Sequence, residues 1–450
     1  MFIISSLYGG GAERVVSRVA SALCEEHDVH IAVLSPLMKK GGVYDHDPRI
    51  HIHEIIPNTS TSPIVTRKAQ SAAIRMMHAI KRRMVAKGLF RLTNAAGKMV
   101  KGQITEKKTA RQARCDEIRR LKKELGIEIS ISFMTEANYC NVQSRNGEPA
   151  IISIRNILNT PYADDQRFTP EAHEQIRLTS ELADGIVAVS QNVAREQAEV
   201  YGADPGKIVT IYNPVDVDDL RARSKKALDD PDFERLCSQH KRIILTMGRH
   251  VYQKGQWHLI RAMKAVRSTC PDAALVILGQ GPLTERLKAV IRANGLEDHV
   301  LLAGFQDPFP YMSRCDVFCL SSLFEGFSNA LLEAMSCGMP LVATDCNSSP
   351  RELMAPESDP AIQTESVEET PYGLLVPPLS GNLSLLADPL EPEEAFLAEA
   401  LSAMLDDTKM RQRCRENGSV RIRDFATERI VAQWSETIEA FVKGHHDKSS

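Results

Sequence analysis

The sequence predicts an α/β protein of two parallel-sheet domains that face each other across a cleft. Strand-length apolar runs alternate with segments of helical period, which indicates parallel sheets covered on both faces. The alternation breaks at residues 211–216, where Asn213-Pro214 interrupts regular structure, and a second series begins at Arg242. A chain of 450 residues also exceeds one small core and suits two domains.

The first domain, residues 1–210, opens with Phe2-Ile3-Ile4-Ser5, which reads as a strand and not as a signal peptide. A glycine loop, Gly9-Gly10-Gly11, and a helix from about Ala12 to Cys24 follow. Further strands are expected at 29–34, 50–55 (half-exposed), 129–133, 150–154 and 185–189. Residues 211–240 form a connector. The second domain, 241–425, repeats the pattern with strands at 242–248, 274–279, 300–304, 317–320 and 341–344. Residues 355–371 read as a solvated acidic insertion. The chain is expected to be helical from about Glu393 to near Val442, with a C-terminal helix and disordered tail making up 426–450.

Ten scattered cysteines without a CxxC pair read as free core thiols in a reducing cytoplasm. No apolar run of 18 residues occurs, so no spanning helix is expected. The net charge of −3 conceals a basic insertion: residues 63–125 hold 18 Lys/Arg against 4 Asp/Glu. Within it Ala73, Ile74, Met76, Met77, Ile80 and Met84 share one side of a helical wheel, with Arg75, Arg82 and Arg83 turned away. Such a helix can lie on an anionic membrane surface, and residues 67–123 are expected to do so. A solvated hairpin would show the same pattern. Phe90 is the only aromatic residue in the stretch, which argues against nucleic acid.

The most informative segment is Phe324-Glu325-Gly326-Phe327-Ser328-Asn329-Ala330-Leu331-Leu332-Glu333. Ser328 or Asn329 can cap a helix there, and Gly338 and Pro340 stop it. The unpaired amides at its start form an anion site with a carboxylate on each side. A diphosphate flanked by hydroxyls, as in a nucleotide sugar, suits this arrangement. Arg249 and Lys254, in Gly248-Arg249-His250-Val251-Tyr252-Gln253-Lys254-Gly255, would add a forked and a point cation at the same mouth. Gly279-Gln280-Gly281-Pro282 and Gly304-Phe305-Gln306-Asp307 are turns able to line a planar base. Asp216-Val217-Asp218 resembles a metal motif, but Asp218-Asp219 reads better as a helix cap. His51 and His53, on one face of a strand, read as a satisfied or solvated pair and not as a ligand set.

These motifs, together with Tyr372-Gly373-Leu374-Leu375-Val376-Pro377, resemble the retaining nucleotide-sugar glycosyltransferases of family 4, which have the GT-B fold of two Rossmann-like domains. The resemblance covers nearly the whole chain, least well at 60–125 and 355–371. It implies transfer of a hexose or N-acetylhexosamine, from UDP by family prevalence. The acceptor would be a polyprenyl-diphosphate- or lipid-linked glycan, met by a peripheral enzyme on the inner face of the cytoplasmic membrane. Glu325 would contact the donor sugar, Glu333 the ribose, and Arg249 and Lys254 the diphosphate, with no metal or other cofactor. Gly10, Gly11, Gly248, Gly304, Phe305, Phe327, Ser328, Asn329 and Ala330 would complete the donor site. Many relatives place a histidine where this chain has Ser153-Ile154-Arg155-Asn156. Arg155 and Asn156, with Glu13 and Arg14, are therefore assigned to the acceptor side. A transferase with a soluble acceptor and a non-catalytic nucleotide-sugar-binding protein are the competing readings.

Overall fold

A computed structural model describes residues 1–7, 10–36, 46–56, 110–160 and 169–449. Gly9 and most of the basic insertion, including the amphipathic segment 73–84, lie outside the described residues.

The first sheet contains β1 (Phe2–Ile4), β2 (His30–Val33), β3 (His51–Glu54), β4 (Ser130–Phe133), β5 (Ala150–Ile154), β6 (Gly185–Ala188) and β7 (Ile208–Thr210). Its order is β3-β2-β1-β4-β5-β6-β7, with every pair parallel. The second contains β8 (Arg242–Met247), β9 (Ala273–Leu278), β10 (Val300–Gly304), β11 (Val317–Leu320), β12 (Leu341–Thr344), β13 (Glu368–Thr370) and β14 (Gly373–Val376). Its order is β10-β9-β8-β11-β12-β14-β13, parallel except for the β13–β14 pair. The all-apolar run Ala273–Leu278 is buried along its whole length, as expected of a strand covered on both faces. In each sheet the strand order reverses once, between β1 and β4 and between β8 and β11. Open α/β sheets bind ligands outside the strand ends at such a switch point.

The chain crosses between the lobes at 211–216 and returns through residues 422–427. The two crossings are joined: Val215 N donates to Phe425 O at 2.8 Å, and Thr427 N to Val215 O at 3.1 Å. Tyr212, Phe327 and Phe425 stack beside them with ring centroids 5.1–5.8 Å apart, so one apolar core continues through the seam. The last helix, Thr427–Ser449, then lies on the first lobe, with Trp434 against Phe133.

Residues 393–442 are helical as expected, as the helices Pro392–Asp406 and Thr408–Arg421, a short 3-10 turn, and the last helix. Other expectations are corrected. The last helix continues through the expected disordered tail to Ser449, and His445 Nε2 lies 2.6 Å from Gly147 O on the first lobe. The insertion 355–371 is anchored, because buried Arg351 binds both Asp345 and Glu368. Thr364 N also donates to Asp345 Oδ2 at 2.7 Å, and Asn192 Nδ2 of the first lobe donates to Pro360 O at 2.6 Å. The helix Val217–Ser224 is capped by Asp216, which accepts from Asp219 N at 3.0 Å. In line with a satisfied pair, His30 Nδ1 is 3.0 Å from His53 Nε2, and the His51 ring stacks on that of His30.

The described end of the basic stretch, a helix over residues 110–124, spends its charges internally. Lys122 is fully buried on Glu148 at 2.8 Å, and burial holds its ammonium down at about 8. Arg111 pairs with Glu136, Arg119 with Asp116, and Arg120 with Glu117 and Glu124. This part of 67–123 is a structural helix of the first lobe, and its paired cations leave little charge for a membrane. No helix among the described residues is long and apolar enough to cross one.

Candidate functional site

The loops after β8 and β11 flank the switch point of the second sheet and are tied to each other. Leu323 N donates to Gln253 O at 2.8 Å, and Ser321 Oγ to Lys254 O at 3.0 Å. Gly255 has φ 55°, and a Cβ there would overlap the Ser321 carbonyl, so the loops touch because this residue is glycine. The contact brings Lys254 Nζ to 2.6 Å from Glu325 Oε1. Ser322 Oγ donates to the same oxygen at 2.7 Å, and Gln253 Nε2 to Oε2 at 3.3 Å.

Glu325 is only 5% exposed, so an unpaired carboxylate there would be costly. Three donors fix it. A carboxylate offers about four acceptor positions, and one remains for a ligand hydroxyl. Lys254 has spent one of its three donors. Arg249, on the same loop, is exposed, and its side chain has no ion-pair partner among the described residues. Two cations with unspent donors thus stand at the switch point, which is the chemistry an anion requires.

Ser328 caps the helix Asn329–Ser336, accepting from Leu331 N, while its own amide donates to Ser349 Oγ at 2.8 Å. The amides of Asn329 and Ala330 start this helix and have no helical acceptor behind them. Glu333, one turn on and 6% exposed, pairs with Arg14 from the first turn of the helix Gly11–Leu23. Arg14 was expected on the acceptor side; the structure places it on the carboxylate expected to hold ribose. Glu13 stays within its own lobe, accepting from Ser6 Oγ at 3.1 Å.

Gly11 faces this helix start: a Cβ on it would lie 2.6 Å from the Asn329 side-chain Nδ2, whereas one on Gly10 would meet the Glu13 carboxylate of its own helix. Asn329 Oδ1 accepts from Asn213 Nδ2 at 2.7 Å, and Asn213 Oδ1 in turn accepts from Arg155. Arg155 also donates to Ser153 Oγ at 3.2 Å, and burial pushes its guanidinium down to about 9. A Cβ on Gly326 would overlap the Arg155 carbonyl, so residues 155–156 sit directly on the Glu325 loop.

Two expected donor residues lie differently. Phe327 buries its ring in the seam with Tyr212 and Phe425, which leaves only its backbone for a ligand. Gly304, with φ 74°, ends the edge strand β10, and Phe305 beside it is 79% exposed. That pair is two strands from the switch point, at the far end of an elongated site. Gly248, with φ 149°, opens the loop of Arg249 and Lys254. Sequence reasoning missed Ser322, Gln253 and Asn213. Gln253 stood beside Lys254 in a motif already noticed and Asn213 in the Asn-Pro break, but Ser322 carried no signal.

Among the described residues His258, Glu391 and Glu394 bring three donor atoms within 4.8 Å of one another. Arg261 Nη1 lies 2.9 Å from Glu394 Oε1 and 3.4 Å from Glu391 Oε1, so a guanidinium already supplies the cation. The group is a structural cluster that ties the helix Gln256–Thr269 to the helix Pro392–Asp406.

Comparison with known proteins fits this geometry. Residues 229–368 match the family described as Glycosyl transferases group 1, and residues 119–219 match Glycosyltransferase Family 4. An uncharacterized glycosyltransferase of Methanocaldococcus jannaschii is 32% identical over 264 residues, 58% of this chain and 64% of that protein. The N-acetylgalactosamine-N,N'-diacetylbacillosaminyl-diphospho-undecaprenol 4-alpha-N-acetylgalactosaminyltransferase of Campylobacter jejuni is 29% identical over 70% of this chain and 76% of its own length. The chain thus spans just under two thirds of the first of these relatives. Among solved structures, Anabaena HepE in complex with UDP superposes with a TM-score of 0.66 at 17% identity, covering 98% of this chain and 99% of that one. The sucrose-phosphate synthase of Thermosynechococcus elongatus does so with a TM-score of 0.69 at 17% identity and the same coverage. At this identity the likeness concerns the fold.

Proposed function

The chain belongs to the family 4 glycosyltransferases with the GT-B fold, and from that premise we propose that it moves a hexose or N-acetylhexosamine from a UDP-sugar to a lipid-linked glycan. The observation that carries the reading is the joint placement of Lys254, Glu325 and Arg249 beside the start of the helix that bears Glu333. In this reading the diphosphate lies against the amides of Asn329 and Ala330, with Arg249 and Lys254 neutralising the charge that develops as the nucleoside diphosphate departs. Donors fixed in advance where charge appears are often the largest catalytic contribution. Glu325 uses its remaining acceptor position for a sugar hydroxyl and Glu333 binds the ribose, so neither serves as acid or base.

Retention would follow from front-face attack, with a donor phosphate oxygen helping to take the acceptor proton. A double displacement would need a carboxylate nucleophile under the anomeric carbon, and Glu325 is engaged by three donors. The charge on the leaving group is met by side chains, so no metal is required in this scheme. The lipid-linked acceptor is supported by the named activity of the Campylobacter relative, and a place on the inner face of the cytoplasmic membrane is part of the same proposal.

The test is nucleoside diphosphate release across a panel of sugar nucleotides, with polyprenyl-diphosphate-linked and soluble glycans as acceptors and chelator present throughout. Release from a UDP-sugar that depends on the lipid-linked acceptor is expected. Binding without release under every condition would make the protein a scaffold, and equal rates with soluble glycans would remove the lipid from the proposal.

A further inference from the structure

Arg155 is a cation without a counter-charge. Its Nη1 donates to Ser153 Oγ at 3.2 Å and its Nη2 to Asn213 Oδ1, while its Cζ lies 5.6 Å from the centre of the Phe133 ring. All three partners are neutral. Among the described residues no carboxylate pairs with this guanidinium, and burial alone sets its titration. Of its five N–H donors, three remain available to a ligand. A cation drawn out of water without an opposite charge is costly to keep, which marks the position as a candidate anion site.

Its surroundings have the form of a subsite at the ends of β4 and β5. Asn156 Oδ1 is buried with no hydrogen-bond donor on it among the described residues. Met134 follows β4 level with Ile154, since Phe133 pairs with Ser153. It holds φ 77° and is 45% exposed. A left-handed methionine is strained, and such strain clusters where a site needs a side chain displayed. The donor diphosphate already has Arg249, Lys254 and the helix start in the second lobe. Arg155 belongs to the first sheet, and residues 155–156 touch the Glu325 loop from that side. The reactant that meets this wall is the acceptor. In a lipid-linked glycan of neutral sugars, the charge sits on the linking diphosphate.

We propose that Arg155 binds the phosphate through which the acceptor glycan is joined to its lipid, with Met134 against the adjoining apolar chain and Asn156 taking a sugar hydroxyl. The proposal rests on the reading of the acceptor as lipid-linked. It also limits length, because only a short glycan lets the diphosphate reach Arg155 while its hydroxyl meets the donor sugar.

The experiment saturates the protein with UDP and measures binding of geranyl diphosphate, geraniol and methyl glucuronide to wild type, Arg155→Gln and Arg155→Lys. Glutamine keeps a donor for Asn213 and removes the charge, whereas lysine keeps the charge and removes the fork. Geranyl diphosphate should bind the glutamine variant about tenfold or more weakly than wild type, in line with a lost charged hydrogen bond. The lysine variant should fall between them. Geraniol and UDP should bind both variants as they bind wild type. Geranyl diphosphate binding that is absent from wild type, or equal in the glutamine variant, overturns the Arg155 assignment alone. A parallel loss of UDP affinity does so too, since Arg155 would then be a strut for the Asn213–Asn329 contact. Dependence on Arg155 shown by methyl glucuronide alone would put the anion on an acidic sugar and remove the lipid phosphate. A wild-type protein that binds no UDP overturns the transferase reading, and the Arg155 proposal falls with it.

Discussion

Glu325 and Glu333 flank one helix start, are equally buried, and are held in opposite ways. Glu325 takes all three of its donors, Lys254, Ser322 and Gln253, from its own lobe, whereas Glu333 takes Arg14 from the other. The same contrast recurs away from the site. Glu196 in the first lobe accepts from Leu158 N and Asn159 N within that lobe, at 3.0 and 2.7 Å. Glu352 in the second lobe accepts from Gln191 N at 2.9 Å, Asn192 N at 3.2 Å and Tyr212 OH at 3.1 Å, capping a helix of the first. A carboxylate fastened within a lobe is set before any ligand arrives, and one fastened across the seam reports how the lobes stand.

The largest effect should come from breaking the preset group. Lys254→Ala or Arg249→Ala is expected to lower turnover by on the order of 10²-fold or more, by analogy with lost transition-state donors. Near-normal steady-state rates in both would remove the clamp. Next comes Glu196, whose carboxyl is pushed up to about 7 by burial. The folded protein then holds a proton that the unfolded chain releases above about 4.5. Stability should fall as pH rises from about 4.5 to 7, by on the order of 3 kcal/mol from this group. Denaturant titrations of Glu196→Gln across that range should show a flatter profile than wild type, and an identical slope would contradict the assignment. The smallest effect is at the seam, where Glu352→Ala should cost about 1–2 kcal/mol by orphaning amides that water can partly reach. The melting temperature should fall while the scattering radius grows; a lower melting temperature with unchanged dimensions would mean that Glu352 does not hold the lobes together.

Much of this was legible in the sequence, for physical reasons. Runs such as Ala273–Leu278 admit one interpretation because strands buried on both faces must be apolar throughout. Ser328, Gly338 and Pro340 mark a helix by capping chemistry that is local in sequence. β7 and β13 are edge strands only partly buried, and Glu368-Glu369-Thr370 carries no apolar run to mark it. The partner of Glu333 lies 319 residues away, and nothing in Gly10-Gly11-Ala12-Glu13-Arg14 states which lobe its side chain will meet. Arg111 and Lys122 were counted as surplus charge because composition cannot see Glu136 and Glu148 folding back onto them. Acidic residues 355–371 misled in the same way, since the buried Arg351 that anchors them precedes the segment.

The two chain crossings at Val215 and Phe425–Thr427 are bonded edge to edge, and mechanically they act as a laminated strap. A strap of two bonded plies resists shear and twist better than a single crossing would. Cutting either ply would leave the halves joined by the other. Each lobe therefore meets its partner at a high effective concentration set by the two crossings.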